Sequence, residues 1–193
     1  MKFVLASTSP RRKDLLNNIG MSFEIIPSEL DEVINEHISI TENVERLAYQ
    51  KALDVSKKLP EGYLVLGADT VVVIDGKIIG KPRDVQDAKR ILTLLSGKIH
   101  NVITAIAIVP SKEEHRKVIR HENTKVKFRK LSDEEIETYI STGEPMDKAG
   151  AYALQGIGCM IVEAIEGCYT NVIGLPIPLL IKVLKNNFNM KLL

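Results

Sequence analysis

Tryptophan is absent from this chain and aromatic residues make up only 5% of it, which argues against a stacking platform for single-stranded nucleic acid. Cysteine is nearly as scarce. Cys159 and Cys168 form no C-x-x-C pair, so no disulfide framework is suggested and a reducing, cytoplasmic setting fits. Neither sign of charge is in excess: 26 Lys+Arg face 25 Asp+Glu. No global field therefore draws the chain to nucleic acid or to a membrane, and any anion site must be local. No apolar run approaches the roughly 20 residues of a membrane span, and the lysine-poor start with its short apolar run does not read as a signal peptide. The four histidines are scattered without metal-ligand spacing. Neither G-x-x-x-x-G-K-[ST] nor G-x-G-x-x-G occurs, which excludes the usual P-loop ATPase and dinucleotide-binding oxidoreductase.

What remains is ordinary for one globular domain, or one domain with two lobes: 193 residues, 45% hydrophobic and 26% charged. Apolar runs and helical periodicities alternate, which predicts an α/β class. Strands are expected at Phe3–Ala6, Ser22–Pro27, Tyr63–Ile74, Lys77–Ile79 and His100–Val109, with a strand-like hairpin region over 116–130. Helices are expected after Pro10, after the Ser39–Glu42 capping box, after Asp84, after the Ser132–Glu135 capping box, and near Pro176. Gly67 reads as a bulge site in its strand, and Asp75-Gly76 as a hairpin turn.

The first helix begins with the wrong charges. Ser9 fits the N-cap and Pro10 the first helical position. Such an end carries about half a positive charge and favours acidic neighbours, yet Arg11 and Arg12 follow. Backbone N–H groups, the hydroxyls of Ser7, Thr8 and Ser9, and two guanidiniums would suit a phosphate there. The alternative is a pair of solvated arginines on a surface helix.

Two further residues break their local pattern. Asp69 lies inside an apolar strand, where an unpaired carboxylate is expensive. It is either a structural carboxylate paired with backbone or a lysine, or a rigidly held base or metal ligand. Lys51 falls on the apolar stripe made by Val44, Leu47, Ala48, Val55 and Leu59. It either snorkels to solvent or points into a cleft holding an anion or carboxylate. Lys81, between Gly80 and Pro82, and Glu32, in the acidic stretch 28–32, are weak signals alone. The glycine-punctuated segment 147–156 permits close backbone approach to a ligand or is an ordinary tight loop.

Taken together, these segments resemble the Maf family of nucleoside triphosphate pyrophosphatases. The matching motifs are Leu5-Ala6-Ser7-Thr8-Ser9-Pro10-Arg11-Arg12, Gly67-Ala68-Asp69-Thr70, Gly80-Lys81-Pro82, Asp147-Lys148-Ala149-Gly150-Ala151-Tyr152 and Asn171-Val172-Ile173-Gly174-Leu175-Pro176. The resemblance implies an elongated mixed α/β sheet with flanking helices and two lobes around a cleft, similar also to inosine triphosphatases. It implies a single such domain over residues 1–193, in a family that is often homodimeric. It further implies hydrolysis of a nucleoside triphosphate to monophosphate and pyrophosphate with a divalent cation, Mg2+ or Mn2+, as a housecleaning activity linked to cell-division arrest.

Carried over residue by residue, Asp69 matches the proton acceptor. Ser7, Arg11, Arg12, Lys51 and Lys81 match phosphate-handling positions, and Glu32, with Asp69, the metal position. Arg12, Thr70 and Gln155 match members that prefer dTTP and UTP. The 7-methyl-GTP branch has Ser-Asp-Gln in place of Ala68-Asp69-Thr70 and Pro-Tyr-Arg in place of Pro10-Arg11-Arg12. The Gln155 amide can donate and accept, as the shared edge of thymine and uracil requires; cytosine presents the reverse pattern. The alternatives beside that resemblance are a nucleotide-sensing protein acting on septum formation without turnover, and a purine-directed inosine triphosphatase-like enzyme. No nucleic-acid or membrane partner is expected.

Overall fold

The computed structural model describes residues 1–190. The chain runs β1 (Lys2–Leu5), α1 (Pro10–Asn18), β2 (Glu24–Ile25), α2 (Ile40–Lys57), β3 (Tyr63–Ile74), β4 (Lys77–Ile79), α3 (Val85–Leu95), β5 (Ile99–Pro110), β6 (Val118–Phe128), α4 (Asp133–Ser141), β7 (Val162–Glu166), α5 (Tyr169–Ile173) and α6 (Ile177–Phe188), with short 3-10 turns between several of them. Seven strands form one mixed sheet in the order β2-β1-β3-β5-β6-β7, with β4 paired to β3. The expected mixed α/β sheet with flanking helices is present. Among the described residues, no helix is long and apolar enough to cross a membrane.

The described residues divide into two compact units, 1–69 with 104–122 and 174–190, and 70–103 with 123–173. The divisions fall inside β3, β5 and β6. In the first unit, β1 pairs in parallel with both β2 and β3, placing Lys2 opposite Tyr63 and Leu5 opposite Leu66. Val4, Leu5, Leu64, Val65 and Leu66 are buried, as near-continuous apolar runs require in a parallel sheet covered on both faces. α2 starts at the predicted capping box: Ser39 Oγ accepts the Glu42 N–H while the Glu42 carboxylate accepts the Ser39 N–H.

Gly67 is not a bulge. β3 is unbroken, and a Cβ at Gly67 would lie 2.1 Å from the Ala48 carbonyl oxygen and 2.7 Å from the Ala52 N. The glycine is there because α2 presses directly on the strand, a contact that period and composition do not reveal. The second predicted strand shrinks to Glu24–Ile25, both exposed at the sheet edge.

In the second unit, Asp75 (φ 49) and Gly76 (φ 73) both take left-handed φ, the pattern of a tight two-residue hairpin, and join β3 to antiparallel β4. Asp84 caps α3 through the Asp87 N–H, and Ser132 caps α4 in a second capping box. α3 and α4 cover a core containing Val72, Ile91, Leu92, Leu95, Phe128, Ile136 and Tyr152. His100, Phe128 and Tyr152 meet edge to face with centroids 4.7–5.3 Å apart. β7 lies antiparallel to β6, and Lys125–Glu166 and Lys127–Glu163 ion pairs cross between them. The basic content of 116–130 is therefore partly answered by acidic side chains of a strand that the sequence pattern did not disclose.

Candidate active site

α1 follows β1 after a four-residue turn whose Ser7 Oγ accepts the Ser9 N–H at 3.2 Å. Ser9 occupies the N-cap with its carbonyl accepting from the Lys13 N–H, but its side chain makes no cap bond. No acidic residue stands in the first turn. Arg12 does not extend into solvent. It is 9% exposed, donates from Nε to the Gly174 carbonyl at 2.8 Å and from Nη1 to Ser7 Oγ at 3.1 Å. Burial pulls the Arg12 pKa down, while the charges of Asp69 and Glu32 act to raise it. The solvated-arginine reading thus fails for Arg12. Arg11, its neighbour, is partly exposed.

Lys51 is the centre of the arrangement. It projects from the buried face of α2, 9% exposed, and its Nζ lies 2.7 Å from Asp69 Oδ1 and 2.6 Å from Glu32 Oε1. Snorkelling is excluded by this geometry. Asp69, on β3, is 6% exposed. Burial raises its pKa above the ordinary value, with Glu32 acting in the same direction, while Lys51 and Arg12 oppose the rise. A carboxyl raised in this way is a better proton acceptor than an ordinary aspartate once it is ionised.

Glu32 is exposed in an irregular segment, and α2 ties that segment down. Asp54 accepts the Glu29 N–H at 3.3 Å, Arg46 donates to the Val33 carbonyl, and Asn43 both accepts from the Asn35 N–H and donates to the Asn35 carbonyl, each at 2.8 Å. One helix therefore supplies Lys51 and anchors the strap that carries its second carboxylate. Ser7, Arg12, Glu32, Lys51 and Asp69 belong to the first unit, as does Arg11.

Thr70, Lys81 and Gln155 belong to the second unit. Gly80 accepts the Gly150 N–H at 3.1 Å, which joins the Lys81 segment to the segment 147–156. A Cβ at Gly150 (φ 72) would lie 2.9 Å from Val72 Cγ2. Thr70 stands two residues before Val72 and shares its strand face. It neighbours Asp69 in sequence, but alternation along β3 directs the two side chains to opposite faces of the strand, so adjacency alone does not bring them to one point. Lys81 and Gln155 are exposed.

Two sets of contacts left no signal in the sequence, although Gly174 itself lies in the motif 171–176. Gly174 acts through its carbonyl, and main-chain acceptors leave no residue-type signal. Glu144, between Gly143 and Pro145, accepts hydrogen bonds from Tyr139, Ile157 and Gly158.

The first unit thus brings together a buried carboxylate held against a lysine and an inward-facing arginine bonded to Ser7 beside the start of α1. The chain belongs to the Maf-like protein family, which it matches over residues 2–187. It is 50% identical over 192 residues to a dTTP/UTP pyrophosphatase of Alkaliphilus oremlandii, covering 100% of this chain and 99% of the relative. It is 52% identical to dTTP/UTP pyrophosphatases of Thermoanaerobacter sp. strain X514, over 100% of both chains, and of Acetivibrio thermocellus, over 96% and 95%. Among solved structures, the Staphylococcus aureus Ham1 protein overlaps 66% of this chain and 72% of its own at 16% identity and a TM-score of 0.44.

Proposed function

We propose that this chain hydrolyses dTTP and UTP between the α- and β-phosphates, yielding the monophosphate and pyrophosphate. The observation that carries the reading is the Asp69 carboxylate, buried in an apolar strand, held by Lys51 and raised in pKa. Asp69 takes a proton from water as the water oxygen attacks phosphorus, and pyrophosphate leaves. The absence of a Ser-His-Asp or Cys-His pattern in the sequence favours direct attack by water over a covalent intermediate. Ser7, Arg11, Arg12, Lys51 and Lys81 bind phosphate oxygens. Arg12, Thr70 and Gln155 select the base.

Glu32 and Asp69 fit a divalent cation, Mg2+ or Mn2+. Both direct oxygens at one ammonium, and a pair of carboxylates completed by substrate phosphates is the way magnesium is commonly held. Bound there, the cation would neutralise phosphate charge as the anhydride breaks.

The test is pyrophosphate release by the purified chain across a panel of triphosphates with Mg2+ and Mn2+. dTTP and UTP are expected at comparable rates, well ahead of CTP and the standard purine nucleotides. Preference for ITP or 7-methyl-GTP would overturn the base assignment and keep the pyrophosphatase reading. Binding of nucleotide without release of pyrophosphate would make the chain a nucleotide sensor.

A further inference from the structure

The segment that carries Gln155 is gripped on both sides by one pair of side chains. Tyr139, buried on α4, accepts the Ala153 N–H at 3.2 Å and donates its hydroxyl to Glu144 Oε1 at 2.8 Å. Glu144 in turn accepts the Ile157 N–H at Oε2, 3.1 Å, and the Gly158 N–H at Oε1, 2.8 Å. Gln155 lies midway between the two anchored stretches. Its own side chain is exposed, so packing does not fix where its amide points; the main chain on either side must do so.

The glycines confirm how close the grip is. A Cβ at Gly156 (φ 72) would stand 2.5 Å from Glu144 Oε2. A Cβ at Gly158 would stand 2.6 Å from the Tyr139 hydroxyl and 2.2 Å from the Ala153 carbonyl oxygen. Side chains at either position would push the loop off the pair. Hydrogen bonds from main-chain N–H groups to an ionised carboxylate are stronger than neutral ones. Burial acts against the Glu144 charge, but the bonds from Tyr139, Gly158 and Ile157 outweigh it and hold the carboxyl below its ordinary pKa.

We propose that Glu144 and Tyr139 are positioning residues for base selection: by fixing the main chain before and after Gln155, they set the register in which its amide meets the pyrimidine edge. The proposal rests on Gln155 being the residue that reads the base. A tethered amide presents one donor–acceptor order. A loosened one can shift or turn to meet the reversed order of cytosine, so discrimination falls while the phosphate-handling residues of the other unit are untouched.

The experiment measures kcat and KM separately for UTP and CTP in the full chain and in Tyr139→Phe, Glu144→Gln and Gln155→Ala. Tyr139→Phe removes only a hydroxyl and keeps the test open if Glu144→Gln does not fold. In each variant the UTP-to-CTP ratio of kcat/KM is expected to fall about tenfold, the order of discrimination carried by one site hydrogen bond. In Tyr139→Phe and Glu144→Gln the change should lie in KM, raised for UTP or lowered for CTP, with kcat for UTP within about twofold of the parent. Tyr139→Phe combined with Gln155→Ala should lose no more discrimination than Gln155→Ala alone. An unchanged ratio in Tyr139→Phe and Glu144→Gln, or an equal loss for both nucleotides, beside a collapsed ratio in Gln155→Ala, overturns the positioning role alone. An unchanged ratio in Gln155→Ala overturns the base-reading role and this proposal with it.

Discussion

In the proposed mechanism Asp69 carries the proton transfer, and its surroundings determine what a substitution there should do. Its pKa in the folded chain lies above the ordinary value because burial penalises the charge. Ionisation therefore costs stability at neutral pH, and that cost lapses as pH falls through the folded value. Asp69→Asn removes the charge, keeps the shape and can still accept from Lys51. We expect the variant to fold with an undiminished melting temperature and to lose turnover by about a thousandfold or more, the scale of a general base. Pyrophosphate release near the parent rate would rule out the base assignment. The two arginines should separate in the same way. Arg12 satisfies the Gly174 carbonyl and Ser7 from a buried position, so Arg12→Ala should cost about 2 kcal/mol of stability as well as activity. Arg11→Ala, at a partly exposed position, should weaken activity with a smaller fall in melting temperature than Arg12→Ala. Equal thermal shifts in the two variants would contradict this division.

At the scale of elements, the contact of α2 with β3 at Gly67 sets the distance between Lys51 and Asp69. Gly67→Ala would drive a methyl into the Ala48 carbonyl and must displace the helix. A loss of about 2–4 kcal/mol in chemical denaturation is expected, with activity per folded molecule also reduced; an unaltered denaturation curve would mean that the helix is not seated as described. A second element-scale test concerns the ring cluster of β5, β6 and Tyr152. His100 is 1% exposed, its Nε2 is 2.9 Å from the Tyr152 hydroxyl, and burial lowers its pKa to about 4. Between pH 6.5 and 4 the unfolded chain binds a proton there that the folded chain does not, so stability falls as the solution is acidified. The full loss is about 3 kcal/mol. Most of the window lies above the range where ordinary carboxylates titrate, so denaturation at pH 7, 6 and 5 should reveal it. His100→Gln should flatten the slope, and an equal slope in that variant would assign it elsewhere.

The same elements show what could be read from the chain alone. Capping boxes at Ser39 and Ser132, the Asp75-Gly76 turn and the apolar, β-branched run of 63–74 are local signals, and each marks an element in the structure. Lys51 and Asp69 were legible as exceptions to their patterns, because a charge in an apolar stripe has few cheap explanations. β7 was not legible: five residues with two glutamates carry neither a clear alternation nor an apolar run. Gly67 was misread because the atoms that demand a glycine belong to a helix more than a dozen residues earlier. The grip of Glu144 was hidden for a related reason, since its partners are main-chain N–H groups.

For the molecule as a whole, the notable quantity is how little charge is left over. The chain carries a formal net charge of +1. Within the first unit, Lys51 is shared between Glu32 and Asp69, and the charges of the same two carboxylates act on Arg12. Seen from solution, a diffusing nucleotide meets a site whose cations are largely cancelled until it arrives and rearranges the pairing. Long-range steering is then weak, and encounter proceeds at the pace of an ordinary uncharged docking rather than an electrostatically accelerated one. The association rate for dTTP, followed by stopped flow in the parent chain with the divalent cation withheld, should accordingly change by less than about threefold between about 50 and about 200 mM salt. A steep decline with ionic strength would point to an uncompensated cationic field. With weak steering, the enzyme discriminates among nucleotides after contact, at the speed with which the wrong ones leave.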